Sequence, residues 1–405
     1  MDLVIRDTLT GRRKAVLRRP GRPLALYVCG PTVYDRAHVG HARTYLCFDL
    51  ARRFLEGEGV PVRHVVNVTD FEDKLDDRAA ELGVPWRTLA RREERGFFGD
   101  LDRLGLLPPT FRPRASAFVP QMVEVARQLE RTGRVRREGD EWIYSPPARP
   151  PGTNFPTDRQ LAMHAVIEPG HPFPTRDDRA GEFTIWRRQD PPKPSWPSPW
   201  GRGAPGWHLE CYAMASRYLG VPVDLHGGGF DLIYPHHHAE NEIALELGGT
   251  RFSRTFLHTA FVLMEGTKMS KSLGNLVPLG AALDAVGAGA LRWYLLSLPY
   301  DQRLGWDADA VDRARLEFDD VRSSIARWLK GSPRGRASAS VARTAAEAVR
   351  RELADNLGTD RAFTRIREWA DGLSPDPRAA LGPGERGPAR RAVRAIEART
   401  GLPLL

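Results

Sequence analysis

The residues whose types and spacing could do chemistry fall into two sets. The first suits phosphate. A short apolar strand, Leu24 to Val28, breaks at Gly30 and Pro31 and leads into a helix near His38. A strand that feeds a helix N-terminus through a tight turn points free backbone N–H groups and the positive end of the helix dipole at an anion. His38 and His41 stand three apart on the first helical turn, and Gly40 between them lets a ligand lie against the backbone. The arrangement suits a nucleotide phosphate chain. Much later, Lys268-Met269-Ser270-Lys271-Ser272, followed by Leu273-Gly274-Asn275, places two more cations in a flexible polar loop.

The second set suits a metal. Cys29, Cys211, His236 and Glu240 have zinc-ligand chemistry, and each of the first three sits at an end or start of an element that should converge on one sheet edge. His236 and Glu240 are four apart and share a helix face. Sulfur, imidazole and carboxylate suit tetrahedral zinc. In a substrate pocket such a site can take an incoming thiolate, and it binds harder oxygen donors less well. His238 and Glu242 have the same spacing, so the register within the histidine triplet stays open. The third cysteine, Cys47, falls in the apolar run Tyr45-Leu46-Cys47-Phe48 and reads as packing. Three cysteines are no disulfide framework.

The elements that must position these residues read as follows. Val62 to Val68 is a second strand, and a helix over 42–57 links it to the first, so a βαβ unit and a parallel sheet are expected. Charged helical spacing fills 72–107, a helix covers 114–132, and Arg134 to Tyr144 reads as a hairpin. The region 72–180 looks like an insertion, and Pro146 to Gly181 reads as a long irregular loop. The Pro-rich run Pro194-Ser195-Trp196-Pro197-Ser198-Pro199-Trp200 excludes a central strand or helix. Trp196, Trp200 and Trp207 could wall a pocket or plug the core. A helix runs from Gly206 to Leu219, a strand from Val221 to Leu225 ends at His226-Gly227-Gly228-Gly229, and Thr255 to Val262 is a further strand. From Leu279 onward the pattern is helical, with one strongly apolar helix over 281–297 and amphipathic candidates over 307–330, 338–357, 359–373 and 386–400.

The chain has 405 residues, enough for two or three domains. No apolar run is long enough for a membrane span, and the N-terminus lacks a signal-peptide layout, so a cytoplasmic protein is expected. Sixty lysines and arginines against 51 acids give a formal charge of +9, consistent with a polyanionic partner such as tRNA.

His38-Val39-Gly40-His41 and Lys268-Met269-Ser270-Lys271-Ser272 resemble the two signatures of class I aminoacyl-tRNA synthetases. Tyr27-Val28-Cys29-Gly30-Pro31, Gly206-Trp207-His208-Leu209-Glu210-Cys211 and His226-Gly227-Gly228-Gly229-Phe230-Asp231 resemble the cysteinyl-tRNA synthetase family. The resemblance covers about residues 1–370. It implies an α/β catalytic domain over 1–280 with a Rossmann-type parallel sheet, an insertion near 72–180 and a lysine loop at 268–272, followed by an α-helical bundle over 281–405. It implies a ligase that joins L-cysteine to ATP as cysteinyl-adenylate, with Mg²⁺, and transfers it to tRNA(Cys). Cys29, Cys211, His236 and Glu240 would hold one Zn²⁺ per chain. Gly30, Thr69, Trp207, His226 and Asp231 match positions lining the amino-acid and adenosine pocket. His38, Gly40, His41, Lys268 and Lys271 would serve ATP.

Two departures matter. The family's Pro-His-His-Glu-Asn-Glu is Pro235-His236-His237-His238-Ala239-Glu240 here. No small anticodon-reading domain is visible before Leu405. That shortness, the Pro-Ser-Trp-Pro-Ser-Pro run and the Leu-Pro-Leu ending also resemble the mycothiol-pathway cysteine ligases, which join cysteine to glucosaminyl-inositol. Pro31-Thr32-Val33-Tyr34 and His41-Ala42-Arg43-Thr44 follow the synthetase version of the first motif. The tRNA ligase is therefore the first expectation, the small-amine ligase the second and an inactive RNA-binding paralogue the third.

Overall fold

The computed structural model describes residues 1–150, 152–155, 181–269, 274–332, 335–373, 376, 379–382 and 384–405. A hairpin of β1 (Val4–Arg6) and β2 (Arg13–Ala15) precedes the first core strand, β3 (Leu24–Val28). Helix α1 (Val39–Gly57) crosses to β4 (Val62–Val66), which pairs parallel with β3. Helices α2 (Asp73–Glu81), α3 (Trp86–Arg103) and α4 (Val119–Arg131) follow. Strands β5 (Val135–Glu138), β6 (Glu141–Tyr144), β7 (Phe183–Arg188) and β8 (Gly203–Pro205) form a separate antiparallel sheet in chain order. The irregular loop expected between Pro146 and Gly181 falls largely outside the described residues.

The chain then returns to the parallel sheet. Helix α5 (His208–Tyr218) leads to β9 (Leu225–Gly229), and α6 (His238–Gly248) leads to β10 (Phe256–Thr259). The order is β10-β9-β3-β4, all parallel, which is the expected α/β class. A small sheet of β11 (Val262–Met264), β12 (Thr267–Lys268) and β13 (Leu304–Trp306) leads into the bundle. The bundle is α7 (Leu279–Leu295), α8 (Ala308–Lys330), α9 (Ser340–Ala354), α10 (Thr359–Asp371) and α11 (Arg386–Thr400).

The period of two along β3 divides the interior. Leu24, Leu26 and Val28 face a core shared with α1 and the bundle, while Ala25, Tyr27 and Cys29 face a second core shared with α5 and α6. Both faces are covered, so β3 is buried along its whole length.

Three expected elements differ. The strand expected over Val221–Leu225 begins only at Leu225, and the three glycines lie within it. The sheet requires this: a Cβ on Gly227 would meet the Leu257 carbonyl oxygen at 1.7 Å and the Phe48 ring at 2.9 Å. Upstream, the Asp224 carboxylate instead accepts the Ala25 N–H at 2.9 Å. The strand expected over Thr255–Val262 splits between two sheets, because the Ala260 N–H turns to the Tyr300 carbonyl. The buried Arg43 guanidinium donates to the carbonyls of Ala260 and Phe261. The single apolar helix over 281–297 is interrupted at Gly287, where φ is 76°.

A buried ion pair ties the bundle to the sheet domain. Arg292 on α7 donates to Asp49 on α1 at 2.7 Å and to the Thr400 carbonyl at 2.8 Å. Asp49 also accepts from Arg53 and from the Leu107 N–H. Both side chains of the pair are almost fully buried. Asp49→Asn is expected to strand a buried guanidinium and to cost about 3–5 kcal/mol. Urea unfolding should show a lower midpoint at unchanged slope; an unchanged midpoint rejects the role.

Glu58 makes a second junction. Its carboxylate accepts from Arg350 on α9 at 2.6 and 2.8 Å and from Arg399 on α11 at 3.3 Å. Arg350 foremost pulls its pKa from 4.5 to about 2. A depressed carboxyl stabilises the fold above its unfolded pKa and loses that contribution as pH falls. Stability should therefore decline between about pH 4.5 and 2, and Glu58→Gln should flatten that segment of the pH–stability curve. Equal acid slopes for both proteins would contradict the assignment.

Candidate functional site

Four elements meet at the C-terminal edge of the parallel sheet, where open α/β sheets bind ligands. Cys29 follows β3, and its N–H donates to the Gly227 carbonyl at 3.1 Å. Cys211 lies in the first turn of α5, and His236 and His237 lie in the tight turn that enters α6, which carries Glu240. The structure brings together all four of the expected donors. Ligand atoms of Cys29, Cys211, His236 and Glu240 lie within 4.8 Å of one another, and all four residues are buried. The two sulfurs are 3.7 Å apart; His236 Nε2 lies 3.3 Å from Cys211 Sγ and 3.2 Å from a Glu240 oxygen.

A second set shares two members: Cys29 and Glu240 with His226 and His237. His237 Nε2 is 3.2 Å from Cys29 Sγ, and His226 Nε2 is 2.8 Å from Glu240. Sequence reasoning placed His226 in the substrate pocket and gave His237 no role. The signal was available, since His237 follows His236 and His226 opens the glycine run, but only the pairing of β9 with β3 brings either to the sulfurs. The alternative pair lies elsewhere. His238 Nδ1 turns to the Phe155 carbonyl, and Glu242 accepts from Asn154 at 2.7 Å and Arg149 at 2.9 Å.

The electrostatics suit a soft cation. Burial pushes the Cys29 thiol well up, helped by Cys211. For Cys211 burial is outweighed by the Cys29 hydrogen bond and by His236, which draw it down to about 7. Burial alone would raise Glu240; His226, His236 and His237 reverse this and hold its carboxyl well below the usual range. Two thiols, imidazole and a carboxylate at this spacing fit zinc or a similar borderline metal.

The phosphate turn differs in one respect. His38 is the N-cap of α1: its Nδ1 accepts the N–H groups of Gly40 at 3.1 Å and His41 at 3.4 Å. The expected free amides of the first turn are thus capped, and what the turn presents is two stacked imidazoles with centroids 3.8 Å apart. Burial first, and His38 second, push His41 well below its usual pKa, so its ring is neutral near pH 7. Gly40 is needed here: a Cβ would meet the His38 ring at 2.8 Å. The chain that follows the lysine loop reaches the same turn. Lys268 lies on β12, and beyond the loop the Val277 carbonyl accepts the Val39 N–H at 3.1 Å. Lys271 and the rest of the loop, 270–273, lie outside the described residues.

The residues expected to line the substrate pocket fall as follows. The Gly30 N–H donates to Asn67 Oδ1 at 2.8 Å, and a Cβ there would sit 1.5 Å from the Asn67 carbonyl oxygen. Thr69 donates to Glu210 at 2.8 Å. Trp207 stacks on His236 at 4.1 Å with 37% of its surface exposed, so it walls the cleft. Trp200 is a core plug against Trp186, and Trp196 packs on Phe71. Asp231 sits in the short turn after β9. Beside Trp207 a cavity of about 380 Å³ opens, lined by Glu72, Asp73, Asp76, Glu182, Arg187 and Glu210 among others. This acidic wall went unread, because its carboxylates come from three separate stretches.

Residues 18–316 match the family described as tRNA synthetases class I (C) catalytic domain. Solved structures share the fold. A Mycobacterium tuberculosis methionyl-tRNA synthetase in complex with methionyl-adenylate superposes with TM-score 0.63 at 17% identity, covering 95% of this chain and 88% of that one. An Agrobacterium radiobacter LeuRS in a ternary complex with tRNA and LeuAMS gives 0.64 at 12% identity, covering 95% and 85%.

Proposed function

The chain belongs to the class I (C) tRNA synthetase catalytic-domain family, and we propose that it activates L-cysteine with ATP and transfers the cysteinyl group to tRNA(Cys). The observation that carries the amino acid is the buried donor set of Cys29, Cys211, His236 and Glu240. Zinc held by these residues would supply a Lewis acid that prefers sulfur to oxygen, which is the discrimination cysteine needs against serine. Trp207 and His236 close one side of the amino-acid cleft, and Thr69 with Glu210 closes another.

The cysteine carboxylate oxygen attacks the α-phosphorus of ATP, the bond to the bridging oxygen breaks, and pyrophosphate leaves with its Mg²⁺. His38 and His41 face the spreading charge as preorganised dipoles, and Lys268 and Lys271 neutralise the leaving group. A ribose hydroxyl of the acceptor then attacks the carbonyl carbon, AMP leaves and the hydroxyl proton is lost.

One observation favours a second acceptor, a small amine such as glucosaminyl-inositol. The cavity beside Trp207 is lined by five acids, of which Glu182 is paired with Arg136 and Asp73 with Arg187 and Lys193, leaving Glu72 and Asp76 to meet an incoming ammonium. Burial, with Asp73 adding, lifts Asp76 to about 7, so it can take the proton an attacking amine must lose.

The test is ATP–pyrophosphate exchange with cysteine and with serine, followed by transfer of labelled cysteine to tRNA or to the amino sugar. Cysteine-dependent exchange and charged tRNA are expected. Turnover on the amino sugar without charged tRNA reverses the choice of acceptor, and absence of exchange rejects both readings.

A further inference from the structure

The face of β3 that carries Cys29 also carries Tyr27, two residues earlier and therefore on the same side of the strand. The Tyr27 ring is held on two sides. Its centroid lies 5.6 Å from that of His226, which bonds Glu240, and 6.2 Å from that of Phe252 in an edge-on arrangement. No part of the residue reaches solvent. Its hydroxyl makes no hydrogen bond among the described residues. A buried hydroxyl without a partner costs stability, and phenylalanine would fill the same space without that cost. The ring accounts for the packing and leaves the oxygen unexplained.

The groups around the oxygen supply a reason for it. Burial foremost, and then the charge of Cys211, Cys29 and Glu240, push its pKa well above the usual phenol range, so it keeps a proton to give beside the donor set. A thiol is a weak acceptor, whereas a thiolate accepts a charge-assisted bond. A cysteine that ligates a metal is deprotonated. Metal binding would therefore turn a neighbouring sulfur from a poor partner into a good one for the same oxygen. Cys29 Sγ already has His237 Nε2 at 3.2 Å and a Glu240 oxygen at 3.7 Å. Cys211 is the sulfur whose charge bears most on Tyr27.

We propose that Tyr27 is a positioning residue for the metal: its hydroxyl donates to the Cys211 sulfur once that sulfur is a bound thiolate, and so sets how tightly the donor set holds zinc. The bond would draw charge from the sulfur and leave the metal a stronger acceptor for the substrate thiol. This rests on the zinc-binding reading of Cys29, Cys211, His236 and Glu240, and adds to it a residue that is not itself a ligand.

The test uses the full chain, stripped of metal with a chelator and reloaded, with Tyr27→Phe as the variant. Zinc affinity is measured by competition with a chromophoric chelator. In parallel the site is loaded with Co²⁺, whose thiolate-to-metal absorption band reports the charge on the bound sulfurs. The variant should bind zinc about tenfold or more weakly, and its cobalt band should move to longer wavelength, because an unbonded thiolate gives up an electron more readily. Without metal the variant should unfold at no lower a temperature than the unaltered protein, since it loses an unpaired buried hydroxyl and keeps the ring. An unmoved cobalt band overturns the hydrogen bond, whatever the affinity. Equal zinc affinity in the two proteins overturns its role in holding the metal, and a lower unfolding temperature without metal assigns Tyr27 to packing instead. If the zinc reading itself is wrong, the unaltered protein takes up no zinc, a result that no behaviour of the variant can mimic.

Discussion

Cys211→Ser is expected to strip the protein of zinc and of its preference for cysteine over serine. The sulfur lies 3.7 Å from Cys29 and 3.3 Å from His236, is buried, and is the more readily ionised of the two thiols, drawn down to about 7 while Cys29 is pushed up. A serine hydroxyl keeps the approximate shape but remains protonated and is a hard donor, so it cannot replace a thiolate toward a borderline cation. Metal content by mass spectrometry should fall from about one zinc per chain to below about a tenth. The ratio of kcat/KM for cysteine over serine in pyrophosphate exchange should fall at least about 100-fold. Cys47→Ser supplies the contrast. Cys47 is as buried, but it lies on α1 in the core shared with the bundle, apart from the core that holds Cys29 and Cys211, so its loss should cost stability and leave zinc content alone. If the Cys211 variant retains zinc, or loses it with discrimination intact, the sulfur site is not what selects the amino acid.

How much of this was legible beforehand depends on whether a feature is local. The strand Leu24–Val28 and the helix after His38 stand where the sequence puts them, because apolar run, breaker and helix period are all local signals. The donor set could be named because Cys29, Cys211 and the His236–Glu240 pair each mark the end or start of an element, and a parallel sheet gathers such points on one edge. What could not be read depends on register across the sheet. Gly227 lies inside a strand because β9 pairs with β10, where Leu257 stands opposite it, and His226 reaches Glu240 because β9 pairs with β3. The Asp49–Arg292 pair and the acidic wall beside Trp207 join residues from distant stretches, and no spacing rule anticipates them.

His38→Asn is expected to leave the fold intact and to cut pyrophosphate exchange by about 10²–10³ in kcat, the usual cost of one preorganised electrostatic contact. The choice of asparagine matters because His38 has two jobs. Its Nδ1 caps α1 by accepting two N–H groups, and its ring stacks on His41 to form the surface a phosphate would meet. Asparagine is among the best N-caps, so it can take over the first job but not the second. His38→Ala loses both and should additionally cost about 1 kcal/mol of stability. Gly40→Ala approaches the same site from the backbone: its new Cβ would meet the His38 ring at 2.8 Å and turn it off the cap. Thermal unfolding and exchange measured on all three separate the roles. Full activity in the asparagine variant would mean that the imidazole serves only the helix, and the charge on the transferring phosphate would then have to be met by His41 and the two lysines alone.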